Sequence, residues 1–190
     1  GSYIWPTTLH RVGDDGKPFR KRRYCFSEYF YILALIEYYA VIDDPHYLTE
    51  ARKYYNLVKS IYEDPSSDPY KITPKFLDTA PQMRGLANSS VLLMVTRIMR
   101  QSDPENQHEY LQTEKSLVNE ILGYHFNQKL GTLIENVGPK GEYVSDYSSG
   151  RVMCPGHILE TVAELLDESE DLGDNTYIDQ IETIYDGAFR

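Results

Sequence analysis

The stretch SEYFYILALIEYYAVIDDPHYLTEARKYYNLVKSIYE, Ser27 to Glu63, decides the fold class. Phe26, Phe30, Leu33, Ile36 and Ala40 recur at helical spacing, and Ser27 is a suitable cap for a helix running to about Ile42. Asp43-Asp44-Pro45 stops that helix and opens a second one, from Pro45 to about Glu63. Its apolar face is Ala51, Tyr54, Tyr55, Val58 and Tyr62. Two helices joined by so short a junction form an αα-hairpin.

The same theme continues outward. After a loop rich in Pro, Ser and Asp (Asp64 to about Thr79), a third helix is predicted from about Pro81 to Arg100. It is apolar nearly all round through Val91–Val95, which marks an interior helix. Ser102-Asp103-Pro104-Glu105 is a helix start, and that fourth helix should end near Tyr124. A fifth spans about Pro155 to Glu168, and a sixth runs from about Asn175 onward. Two β-hairpins interrupt the series: Ile4 to Phe19, turning at Asp15-Gly16, and Gly131 to Val144, turning near Lys140-Gly141. The expected architecture is all-α, a stack of αα-hairpins rather than a four-helix bundle, and such an array can curve into a closed toroid. The apolar stripe Ile178, Ile181, Ile184 and Phe189 still runs as the sequence reaches Arg190. Residues 1–190 are therefore expected to form a single partial domain, an arc truncated at both ends.

With 41% apolar residues the chain can bury a core, and its net charge of −10 argues against nucleic acid and anionic membranes as partners. The run Arg20-Lys21-Arg22-Arg23 is a local exception, either a solvated turn or a phosphate or carboxylate contact. Cys25 and Cys154 make no disulfide framework and fit a reducing compartment, so a cytoplasmic location is expected. No apolar run reaches the length of about 18 residues that spans a membrane. Neither a secretory signal nor a P-loop is visible. The 17 tyrosines suit half-buried helix positions, and aromatic faces also suit the apolar face of a sugar.

Chemistry concentrates in Gly150-Arg151-Val152-Met153-Cys154-Pro155-Gly156-His157-Ile158-Leu159-Glu160, a loop entering a helix. His157 and Glu160 are three apart, on one helix face. A carboxylate beside an imidazole fixes its tautomer and makes it a better base, suited to removing a proton from a carbon next to a carbonyl. Spacing alone leaves two other readings open: a capped histidine at a helix start, and half of a metal site. The other histidines show no ligand spacing.

Gly150–Glu160 resembles the Gly-Arg…Asn-Pro-Gly-His-x-x-Glu signature of the N-acylglucosamine 2-epimerase family of sugar epimerases and isomerases. Asp15-Gly16-Lys17-Pro18 and Arg23-Tyr24-Cys25-Phe26-Ser27-Glu28-Tyr29-Phe30 look like that family's Asp-Gly-Lys-Pro and Arg-Tyr-x-Phe-Ser-Glu-x-Phe segments, and Leu133-Ile134-Glu135-Asn136-Val137 is similar as well. The resemblance implies an (α/α)6 toroid, about half of it present here. It also implies abstraction of the C2 proton of an open-chain sugar through an enediolate. On it, His157 is an acid–base histidine, Glu160 orients it or holds a substrate hydroxyl, Glu28 and Asn88 are pocket positions, and Arg151 braces the loop beside the substrate. It implies a small-molecule sugar, an N-acylhexosamine or related hexose, and no metal or redox cofactor; a homodimer is left open. Cys154 stands where the family has Asn, and the stretch Leu86–Leu93 lacks the histidine of the cellobiose-acting branch. A second catalytic histidine and a sugar-binding arginine fall outside the matching segments, which implies that this chain alone is inactive.

Two other functions are consistent with such a fold. One is a non-catalytic carbohydrate-binding or regulatory toroid. The other is an (α/α)6 glycoside hydrolase, which needs two opposed carboxylates, with Glu28 and Glu160 as the candidates.

Overall fold

The computed structural model describes Arg11–Val12, Pro18–Arg20, residues 25–68 and residues 83–189. Among these the regular structure is six α-helices, with strands of only two or three residues, so the protein is all-α. No helix among the described residues is long and apolar enough to cross a membrane. The chain divides into two compact units, Gly1–Ala80 and Pro81–Arg190.

In the first unit, β1 (Arg11–Val12) pairs antiparallel with β2 (Pro18–Arg20). The turn expected at Asp15-Gly16 and the rest of the basic run, Lys21–Arg23, lie outside the described residues. Helices α1 (Phe26–Ile42) and α2 (Pro45–Glu63) form the αα-hairpin. Leu48, Ala51, Tyr54, Tyr55, Val58 and Ile61 make the buried stripe of α2, meeting Tyr29, Ile32, Leu35 and Ile36 of α1. Edge-on aromatic pairs add to it: Tyr31–Tyr54 with ring centres 4.9 Å apart and Tyr38–Tyr47 at 4.6 Å. The junction works as its residue types dictate. Asp43 takes the left-handed conformation (φ 55°) and closes α1, Asp44 accepts the His46 N–H at 2.9 Å, and Pro45 supplies the preset first turn of α2. Ser27 does not cap α1 as expected. The helix begins one residue earlier, with the Cys25 carbonyl accepting the Tyr29 N–H at 2.9 Å, so Ser27 lies within the first turn, exposed.

The second unit holds β3 (Arg84–Gly85), α3 (Leu86–Ser102), α4 (Gln107–Glu120), β4 (Phe126–Asn127), β5 (Thr132–Leu133), β6 (Asn136–Val137), α5 (Pro155–Leu172) and α6 (Ile178–Gly187). Helix α3 packs against both α4 and α5, and α5 packs against α6. Leu86, Leu92, Leu93, Val95 and Met99 of α3 are fully buried, as expected of an interior helix. Two arginines cross-link α3 to its neighbours. Arg97 binds Glu164 at 2.8 Å and Asp167 at 2.9 Å, and Arg100 binds Glu114 at 2.7 Å and Asp171 at 3.4 Å. On α6, Ile181 and Ile184 are buried, whereas Phe189 beyond the helix is 67% exposed.

Several boundaries differ from expectation; among them, α5 runs on to Leu172 and α6 starts at Ile178. Helix α3 starts at Leu86 rather than Pro81, because Arg84 and Gly85 are drawn into a strand with Val137 and Asn136. The fourth helix leaves α geometry after Glu120 and ends in a π turn, Ile121–His125. The hairpin expected over Gly131–Val144 is not a ladder of its own: β5 pairs back with β4, and β6 pairs with β3. Its turn survives, with the Gly141 N–H bonded to the Gly138 carbonyl at 3.0 Å and Gly141 at φ 83°.

Candidate functional site

The site is built around a dipeptide, Ile134-Glu135, that links β5 to β6. The Glu135 N–H donates to the Val152 carbonyl at 3.0 Å, and its carbonyl accepts the Leu86 N–H at 2.8 Å. Glu135 thus runs between the start of α3 and the segment leading into α5. Pro155 sets the first turn of α5, no side chain caps it, and His157 stands in that turn. First-turn side chains lean back past the helix start. The His157 ring does so and brings Nδ1 to 2.9 Å from Glu135 Oε2. Its side chain is 43% exposed, that of Glu135 15%. A carboxylate accepts only, so Nδ1 carries the hydrogen and the Nε2 lone pair is left for chemistry.

The surrounding loop is braced by polar contacts. Asn136 Nδ2 donates to the Ser149 carbonyl at 3.1 Å, and Arg151 Nη1 donates to the Ser145 carbonyl at 2.5 Å. Arg84 ties β3 to the turn before the loop through Pro139 O at 2.9 Å, and to the end of α4 through both Glu120 oxygens at 3.1 Å. Gly150 is buried against the Val144 carbonyl so closely that a side chain has no room.

Over 147 residues, 77% of its length, the chain is 31% identical to the N-acylglucosamine 2-epimerase of Bos taurus. Over the same share it is 29% identical to those of Rattus norvegicus and Homo sapiens. The chain is similar to N-acylglucosamine 2-epimerases. It spans about a third of the length of these curated relatives, 33% to 34%. No family model matches it.

The five residues singled out from sequence are distributed as follows. His157 and Arg151 share the loop–helix junction, Arg151 with its guanidinium on a backbone carbonyl. Asn88 lies on α3, one turn above Gly85, and its Oδ1 is buried without a hydrogen-bond partner. Glu28 lies in the first unit, 2% exposed at the start of α1. Glu160 is exposed, and the carboxylate that meets His157 is not Glu160 but Glu135. Helical spacing put Glu160 on the same face as His157, but the imidazole turns off the helix toward the neighbouring strand. Glu135 was visible only as part of the family-like segment Leu133–Val137; nothing in its spacing links it to His157. Among the described residues no group of three or more His, Cys, Asp or Glu side chains is arranged to hold a metal ion.

Proposed function

We propose that the protein acts as a sugar 2-epimerase or aldose–ketose isomerase, on an N-acylhexosamine or related hexose. The observation that carries this reading is the 2.9 Å contact between His157 Nδ1 and Glu135, at a helix start that is open to solvent, in a chain related to N-acylglucosamine 2-epimerases. In the open-chain aldose the C2–H bond lies next to the C1 carbonyl. His157 Nε2 removes that proton, the electron pair moves into the C1–C2 bond, and the carbonyl oxygen takes the negative charge of an enediolate. Glu135, a positioning residue, holds the imidazole in the productive tautomer and stabilises the imidazolium that forms. The uncapped start of α5 adds a partial positive charge that favours a developing anion. A proton returned to the opposite face of C2 gives the 2-epimer; one delivered to C1 gives the ketose. The α3–α4 and α5–α6 pairs, with α3 packed on α5, support the further reading that these helices are hairpins of an (α/α)6 toroid.

The test is solvent-deuterium incorporation, by the whole protein that carries this chain, at C2 of N-acetylmannosamine, N-acetylglucosamine, mannose and glucose. Exchange into one of these, lowered about 100-fold or more in His157→Ala, is the expected result. Exchange undiminished in a folded His157→Ala protein would overturn the role of His157.

A further inference from the structure

The carboxylate of Glu135 is aimed by its backbone, and one of the bonds holding that backbone comes from a side chain with no other polar partner. All four main-chain polar groups of Ile134-Glu135 are engaged. Two belong to Glu135 and are described above. The Ile134 N–H donates to the His125 carbonyl at 2.8 Å, and the Ile134 carbonyl lies 2.8 Å from Nδ1 of the His125 ring. His125 closes the π turn after α4 and is 0% exposed. A carbonyl can only accept, so His125 Nδ1 carries the hydrogen. Its Nε2 is then a bare acceptor, buried and without a partner. Burial holds the ring's pKa below the ordinary histidine value, so it donates as a neutral group.

For packing alone, a phenylalanine would fill such a place without the cost of an unmet acceptor. The bond to Ile134 is what the imidazole adds, and Ile134 is adjacent to the residue that grips His157. We propose that His125 is a positioning residue for the proton-transfer site: it fixes the Ile134 carbonyl and so holds the Glu135 carboxylate on His157 Nδ1. This rests on the reading of His157 as the acid–base group, and it assigns a function to a buried histidine.

The test compares His125→Phe, which keeps ring volume but loses the donor, with His125→Asn, whose amide N–H falls near the place of Nδ1. In the wild type, nitrogen-15 spectra of the histidine rings should show hydrogen on Nδ1 of both His125 and neutral His157. In His125→Phe the His157 pattern should shift to a tautomer mixture. The rate constant kcat for C2 exchange should fall about 10-fold to 100-fold, with KM changed less than about twofold. His125→Asn should recover much of both. A wild-type His125 with its hydrogen on Nε2 would overturn the proposal without any variant, even if His125→Phe failed to fold. So would a folded His125→Phe with unchanged His157 tautomer and kcat. The spectra need no substrate. If the whole wild-type protein exchanges no sugar but His157 still loses its Nδ1–H pattern in His125→Phe, the epimerase reading fails while the positioning role stands.

Discussion

Glu135 and His157 are 22 residues apart in the chain, and their side chains meet at 2.9 Å. The contact joins a strand-linking dipeptide to the first turn of α5, elements that reach each other only through the tertiary fold. A histidine held at one nitrogen and free at the other is prepared for proton transfer before a substrate arrives.

The value of that preparation can be read from Glu135→Ala. Removing the carboxylate frees the imidazole to choose its tautomer and removes a partner for the imidazolium. Exchange at C2 should fall about 10-fold to 100-fold in kcat, with a far-ultraviolet spectrum like that of the wild type. A Glu135→Ala protein with wild-type kcat would detach Glu135 from the chemistry.

Glu168, on α5, gives a pH prediction. Its pKa is pushed up to about 7 by burial and by the Glu114 carboxylate beside it, against the pull of Arg100, whose Nη2 is 3.9 Å away. The folded protein therefore holds this proton more tightly than the unfolded chain, where the carboxyl has its ordinary value near 4.5. Stability linked to Glu168 is full below about pH 4.5 and is lost as pH rises through about 7. Glu168→Gln stays neutral at every pH. Its melting temperature should match that of the wild type most nearly at pH 5 and exceed it by a growing margin up to pH 8. A margin that does not change over this range would show that the group titrates normally.

The space around two glycines predicts opposite results for one substitution. A Cβ on Gly187 would press into the carbonyl oxygen and carbon of Gly131, which are backbone atoms and cannot swing aside, whereas one on Gly156 meets nothing within 4 Å. Gly187→Ala should cost about 1–3 kcal/mol, seen as a melting temperature several degrees lower. Gly156→Ala, in the first turn of α5, should be neutral or slightly stabilising. Equal melting temperatures for the two variants would contradict the close approach of α6 to the β4–β5 turn.

Local chemistry made the helices legible in the sequence. Asp43-Asp44-Pro45 carries a left-handed stop, a cap and a preset first turn in consecutive residues, so α2 could be read to its observed ends, Pro45 and Glu63. Pro155 marked the start of α5 in the same way. The second hairpin was misread because its strands have only two residues each, too few for a periodic pattern, and β6 pairs with the remote β3. Nothing near Arg84-Gly85 announces pairing with Asn136-Val137.

The site divides along the same line. His157 was legible because its surroundings, a Pro-Gly turn entering an apolar helix, are contiguous in the chain. Its carboxylate partner was not: Glu160 is near in sequence, yet Glu135 is the one in contact. Sequence by itself determined an all-α chain of paired helices with a histidine at a helix start, because capping and periodicity act over a few residues. The tertiary structure alone decided which carboxylate meets that histidine and which buried ring bonds the backbone next to that carboxylate. Hydrogen bonds between distant segments depend on how strands and helix starts are brought side by side, and no local rule encodes that.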